Sequence, residues 1–228
     1  MAKPLKGIRV LDMGTFITGP AAAMLLADLG AEVIKVEQPG TGDPFRAFDG
    51  DLYSPHFQTY NRNKKSVELN TKDEADLAKF DALVKTADVF IQNFRPGVAE
   101  RLKVDAARLQ ALNPRLVYAD ISGFGQDGPH KDRPAFDTVA QASAGFLRLL
   151  INPDHPRVVG PAIADAVTGF YAAMGVLASL YEREKTGKGR HVETSMFEAM
   201  CHFNLDDFTH YLAVDQIMGP YSRPHVSQ

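Results

Sequence analysis

One carboxylate, Asp165, stands in the apolar run Ile163, Ala164, Ala166 and Val167 at the head of a helical pattern. An acid placed there has two roles open to it. As an N-cap or first-turn residue it accepts from unpaired backbone N–H groups and favours the positive end of the helix dipole. As a nucleophile it is an ionised, poorly hydrated carboxylate able to attack an activated acyl carbon. Desolvation would raise its pKa, and the helix N-terminus would oppose that rise. One residue can fill both roles. Other groups invite phosphate. Arg95, within Asn93-Phe94-Arg95-Pro96-Gly97, and Arg101 beyond it could meet an anion, with Pro96 opening the next helix; the same five residues also serve as a plain strand-to-helix turn. Arg46, Arg62, Lys64 and Lys65, beside Tyr53, Phe57 and Tyr60, make either a phosphate-facing rim or a solvated loop. Glu37 ends a strand where dinucleotide folds place a ribose-binding acid. The turn before it, GTFITGPA, lacks the G-x-G-x-x-G spacing, which argues against a nicotinamide cofactor.

The elements that must position these groups alternate. Ile8 to Leu11 reads as a strand, Ala21 to Leu29 as a helix stopped by Gly30, and Val33 to Glu37 as the next strand, so the first pair is parallel. Pro39 to Asn63 reads as a long loop. Val67 to Asn70 is a short strand, and Asp73 to Lys85 a helix with Thr71 as N-cap and Glu74 completing a capping box. Asp88 to Gln92 is a buried strand and Val104 to Leu112 a short helix. Leu116 to Ile121 is a strand running into SGFGQDGPHKDRPAFD, followed by a helix over Phe136 to Leu147. Then come the Asp165 helix, a polar turn over Glu182 to Gly189, a β-like run His191 to Thr194 and a second helical pattern from Ser195. Strands alternating with helices give an α/β fold with a doubly wound parallel sheet flanked by helices. Ligands on such sheets gather beyond the strand C-termini.

Composition narrows the class. The chain has 228 residues and a formal net charge of −3. That size supports one large or two small domains, and the scattered basic residues argue against nucleic acid as a partner. The only cysteine, Cys201, excludes an internal disulfide, suits a reducing cytosol and sits in a core-like pattern. The first residues have no signal-peptide run, and no stretch approaches the roughly 20 apolar residues of a membrane span. A soluble, cytoplasmic protein with no membrane partner is expected.

The blocks GIRVLDMGTFITGPAAAMLLADLGAEVIKVEQPGTGD, RNKKSVELN, DVFIQNFRPGV, LNPRLVYADISGFGQDGP, RPAFDTVAQASAG and IADAVTGFYAAMGVLASLYEREKTGKGRHVETSMFEA resemble, in this order, the family III CoA-transferases, also called the CaiB/BaiF family. The resemblance covers nearly all of residues 4 to 205 and implies the family's Rossmann-like large domain. It carries the role of nucleophile onto Asp165: CoA would pass from an acyl-CoA to a small carboxylic acid through an aspartyl-CoA thioester. It further implies CoA contacts at Ile17, Thr18, Gln38, Leu69, Asn70, Thr71, Lys72, Asn93, Phe94, Arg95, Arg101, Ala135, Phe136 and Asp137, and no metal. Several members carry Arg where Gln38 stands. Racemase members carry a His where Phe136 stands, and phenylalanine cannot remove a proton; transfer is therefore favoured over a 2-methylacyl-CoA racemase-like isomerisation. Family chains are longer and form interlocked homodimers. Residues 1–194 are accordingly expected to be the CoA-binding domain, with 195–228 a connector that starts a crossing to a small domain. A truncated chain that binds CoA without catalysing transfer is the remaining alternative.

Overall fold

Short β-branched and apolar runs form the middle of the molecule because parallel strands, covered on both faces, favour apolar side chains along their length. The computed structural model describes residues 3–48, 50, 53–152, 154–155, 157 and 160–214. Its strands are β1 (Arg9–Asp12), β2 (Glu32–Glu37), β3 (Lys64–Glu68), β4 (Val89–Gln92), β5 (Val117–Ser122) and β6 (His191–Ser195). They form one sheet in the order β3-β2-β1-β4-β5-β6, every pair parallel, with Val10 opposite both Val33 and Val89, and Ala119 opposite Val192. The expected doubly wound sheet is present, and the order reverses between β1 and β4. Loops leaving those two strands part toward opposite faces and open a crevice there.

The helices are α1 (Thr18–Asp28), α2 (Pro55–Asn61), α3 (Glu74–Val84), α4 (Val98–Arg101), α5 (Ala106–Leu112), α6 (Asp137–Ser143), α7 (Phe146–Leu150), α8 (Ile163–Thr186), α9 (Met196–Phe203) and α10 (Leu205–Val214). Alternation along each strand sends Val10, Val89, Ile91 and Ala119 against α1 and α8. It sends Leu11, Phe90 and Tyr118 against α3, α4 and α5 on the other face. A third, smaller core joins α6, α7, α8 and α9 through Ala140, Phe146, Ala164, Met196 and Met200. By length and composition α8 could cross a membrane, although the sequence alone showed no such run. Here its buried side lies on α1, β5 and β6. Gly169 makes that contact possible: a Cβ there would stand 2.9 Å from the Ala21 Cβ and 3.1 Å from the Thr18 carbonyl oxygen.

Several local expectations are corrected. The stretch 39–63 is not a plain loop: Asp43 accepts from the Phe45 N–H to start a 3-10 turn over Pro44–Ala47, and Ser54 caps α2. Strand β3 begins three residues early, at Lys64, because Asp12 offsets the cost of burying the Lys64 ammonium while Lys65 stays exposed and pairs with Glu32. Asp73, not Thr71, caps α3, its oxygen taking the Ala75 and Asp76 N–H groups. Pro96 lies before the helix it was expected to open; Gly97, in the left-handed region, takes the cap position of α4. Asp105 caps α5, so that helix starts at Ala106. The helix over 136–147 is broken by Gly145 at φ 76°, which separates α6 from α7. The end of the expected connector, residues 215–228, lies outside the described residues.

Candidate active site

Two loops at the C-terminal edge of the sheet build the floor. After β1 the chain turns through Gly14, where a Cβ would meet the Gly19 Cα at 2.9 Å, so the loop folds back on the start of α1. Phe16 sits in the left-handed region at φ 59°, a cost that a bulky residue bears only when its surroundings hold it. They do. Asn93, just past β4, accepts from the Thr15 N–H and donates to the Thr15 carbonyl and the Thr18 hydroxyl, each at 2.8 Å. Asp43 accepts from the Phe16 N–H at 3.2 Å.

Below this loop lies a buried ionic cluster. The Lys35 ammonium donates to the Gly14 carbonyl at 2.7 Å and pairs with Asp43 at 2.9 Å. The Lys64 ammonium meets Asp12 at 2.8 Å and also donates to the Pro20 carbonyl and the Asn61 side chain. Burial pushes the Asp12 carboxyl up, but Lys35 and Lys64 outweigh it and hold the group below its ordinary range. Burial brings Lys64 down to about 8, with Asp12 partly opposing. Glu37 is no ribose ligand: Arg46 grips it through two 2.7 Å bonds, and Ser66 and the Asp43 N–H complete its shell. Against the pull of burial, those donors lower Glu37 to about 2. The proposed rim of Arg46, Arg62, Lys64 and Lys65 therefore does not offer free cations, since all four are paired, with Glu37, Asp28, Asp12 and Glu32.

Asp165 lies across the crevice in the first turn of α8, and it does not cap that helix. The cap position is Ala162, which provides no side-chain acceptor. The acceptor comes from α6: Asp137 Oδ1 takes the Ala164 N–H at 2.8 Å and the Asp165 N–H at 3.2 Å. Asp165 has no ion-pair partner among the described residues. Burial, and secondarily the neighbouring Asp137 carboxylate, push it up to about 7. Tyr60 of α2 is raised as well, first by burial and then by Asp165 and Asp137.

Between these walls lies a cleft of about 700 Å³. It gathers Ile17, Thr18, Asn93, Phe94, Arg95, Ala135, Phe136, Asp137 and Asp165 from the expected residues. Gln38, Leu69 and Thr71 line a neighbouring cavity of about 110 Å³, which shares Thr15 and Phe94 with the main cleft. Asn70, Lys72 and Arg101 line neither. Asn70 and Lys72 belong to the turn before α3, and Arg101 is exposed at the end of α4. Phe136, at 68% exposure, points a carbon ring and no base toward the cleft. Sequence reasoning missed an aromatic wall: Phe45 contacts Phe16, Phe48 and His56 at centroid distances of 5.0 to 5.6 Å. It also missed Met196 and two cations, Lys131 and Arg133. Together with Arg95 these two make no ion pair among the described residues, so three unpaired cations border a mostly apolar cleft. That set fits an elongated ligand with an anionic end and an apolar arm. The basic character of HKDR in a loop rich in glycine and proline was the available signal.

The model of the family described as CoA-transferase family III matches residues 5–227. The chain is 44% identical over 205 residues to an acetyl-CoA:oxalate CoA-transferase of Acetobacter aceti, covering 88% of this chain and 52% of the relative. It is 40% identical over 208 residues to a succinyl-CoA:mesaconate CoA-transferase of Haloarcula marismortui, covering 86% and 52%. The crystal structure of a CAIB/BAIF family protein from Brucella suis superposes with a TM-score of 0.91 at 33% identity, over 96% of this chain and 60% of that one. The chain thus spans about half the length of the curated relatives it matches.

Proposed function

The chain belongs to CoA-transferase family III, and from that premise we propose that it carries the nucleophile and the CoA site for transfer of CoA from an acyl-CoA to a carboxylic acid. One observation supports this above the others: Asp165 is half-buried, faces the cleft and has no ion-pair partner among the described residues. An Asp165 oxygen attacks the acyl carbonyl, the C–S bond breaks, and CoA leaves as a thiolate from a mixed anhydride. The thiolate attacks the Asp165 Cγ and the donor departs as its carboxylate, which leaves an aspartyl-CoA thioester. The acceptor carboxylate then attacks that thioester and expels the thiolate. The thiolate takes the acceptor acyl group from the second anhydride and frees Asp165. No proton is gained or lost overall. Two acyl transfers replace one exchange between anions, and a thiolate kept in the cleft returns at high effective concentration.

In this assignment the acyl arm lies along Phe16, Ile17 and Phe136, and Arg95, Lys131 and Arg133 face phosphate. The smaller cavity at Gln38, Leu69 and Thr71 continues the path toward the nucleotide. Residues 1–194 act as the CoA-binding unit and 195–228 as the connector. Homodimerisation and a cytoplasmic location belong to the same proposal. The packing of α8 on the sheet supports a soluble domain.

The test is chemical. The chain is incubated with acetyl-CoA or succinyl-CoA, donors named for its relatives, then with hydroxylamine, and peptides are mapped by mass spectrometry. A hydroxamate at Asp165, absent from Asp165→Ala although that variant still binds CoA, is the expected outcome. Unmodified Asp165 in the wild-type chain would overturn the assignment and leave a CoA-binding remnant.

A further inference from the structure

The start of α8 has donors to give, and Asp165, as a first-turn acid, is placed to receive them. It does not. Asp137 Oδ1, reaching over from α6, accepts from both Ala164 and Asp165 backbone N–H groups. Its second oxygen is held by the Gln141 amide one turn along α6, and Gln141 is buried. The Gln141 carbonyl oxygen, itself buried, has no hydrogen-bond partner among the described residues, so this amide is turned to serve Asp137.

We propose that Asp137 is a positioning residue for Asp165: it occupies the helix donors that would otherwise stabilise the Asp165 anion and turns that carboxylate out into the cleft. This rests on Asp165 being the nucleophile. The physical gain is in reactivity. A carboxylate that accepts several backbone N–H bonds is a weak base and a poor nucleophile, whereas one deprived of them keeps its electron density for the acyl carbon. The negative charge of Asp137 acts in the same direction, because like charges resist joint ionisation. The other titratable or charged groups lining the same cleft are Tyr60 and His56 of α2, Arg95 after β4, and Lys131 and Arg133 before α6; α9 contributes the apolar Met196.

Two substitutions separate the roles. Asp137→Asn keeps an oxygen to accept both N–H groups and removes the charge. Asp137→Ala removes both and frees the donors for Asp165. The titration of Asp165 is followed by NMR of isotope-labelled aspartate carboxyls, with its signal identified through Asp165→Asn. The midpoint is expected to fall at least tenfold in proton affinity in Asp137→Asn and further in Asp137→Ala. In the same samples the Ala164 and Asp165 amide signals should stay near their wild-type positions only in Asp137→Asn, which also confirms that it folds. A smaller fall in Asp137→Asn, or an equal fall in both variants, overturns the proposal. The titration needs no acyl-CoA, so it can fail while hydroxamate trapping at Asp165 succeeds, and the reverse.

Discussion

Asp12, fully buried, and Asp165, half-buried, are carboxylates at the C-terminal edge of the same sheet, one ending β1 and the other in the first turn of α8. Burial pushes each of them upward in pKa. Asp12 has two lysine ammonium groups within 3.8 Å and stays ionised below its ordinary range. Asp165 has another acid beside it and is carried to about 7. Depth alone therefore does not decide what a buried acid does; the sign of its nearest charge does. The Asp12 side is built to hold the Gly14–Ile17 loop still. The Asp165 side keeps an acid in a state that costs folding energy, as expected of a group kept for chemistry.

Three substitutions would break or sharpen this contrast. The largest effect is expected from Asp12→Asn, which leaves the buried Lys64 without a carboxylate; losing one partner of a buried ion pair costs about 3–5 kcal/mol. Urea unfolding at neutral pH measures it, and a loss under about 1 kcal/mol would erase the distinction between the two sites. Asp165→Asn should act in the opposite direction. The folded protein holds a proton on Asp165 up to about pH 7, while the unfolded chain releases it near 3.8. Wild-type stability therefore falls as pH rises through that window. The variant should be more stable by about 1–3 kcal/mol at pH 8, a gain that fades as pH falls to 4. Thermal melts across that range decide it, and a less stable variant at pH 8 contradicts the comparison. Glu37→Gln is the smallest. Glu37 lies low, at about 2 against an ordinary 4.5, so its contribution is present above pH 4.5 and is lost as pH falls toward 2. With Arg46 partly solvated, about 1–2 kcal/mol should be lost at pH 7, and the variant and wild type should converge in acid.

The alternation of strands and helices was legible because buried parallel strands and a long apolar helix imprint themselves on local composition. The stretch 39–63 was not. Its order depends on Asp43, Arg46 and Ser54 finding Lys35, Glu37 and the Phe45 carbonyl, and local periodicity does not record such pairings. The run RNKK looked like surface charge for the same reason: the carboxylate that draws Lys64 inward, Asp12, lies 52 residues earlier. At the site, Asp165 stood out as an acid in apolar company. Its release from capping duty did not, because the acceptor for its helix is Asp137, 28 positions away. Lys131 and Arg133 were passed over because a glycine-rich loop reveals little about which way its side chains face.

Helix α8 is also a beam. Asp165 rides near one end, and Arg183, about 27 Å along the axis, is bolted at the other to Asp88 and to the Arg115 carbonyl. Between them the backbone rests directly on α1 at Gly169, close to the turn that carries Asp165. Movement of the far end is thereby scaled down before it reaches the carboxylate. Changes in the underside of the sheet should trim the aim of Asp165 by fractions of an ångström, and a methyl group added at the pivot should throw it off.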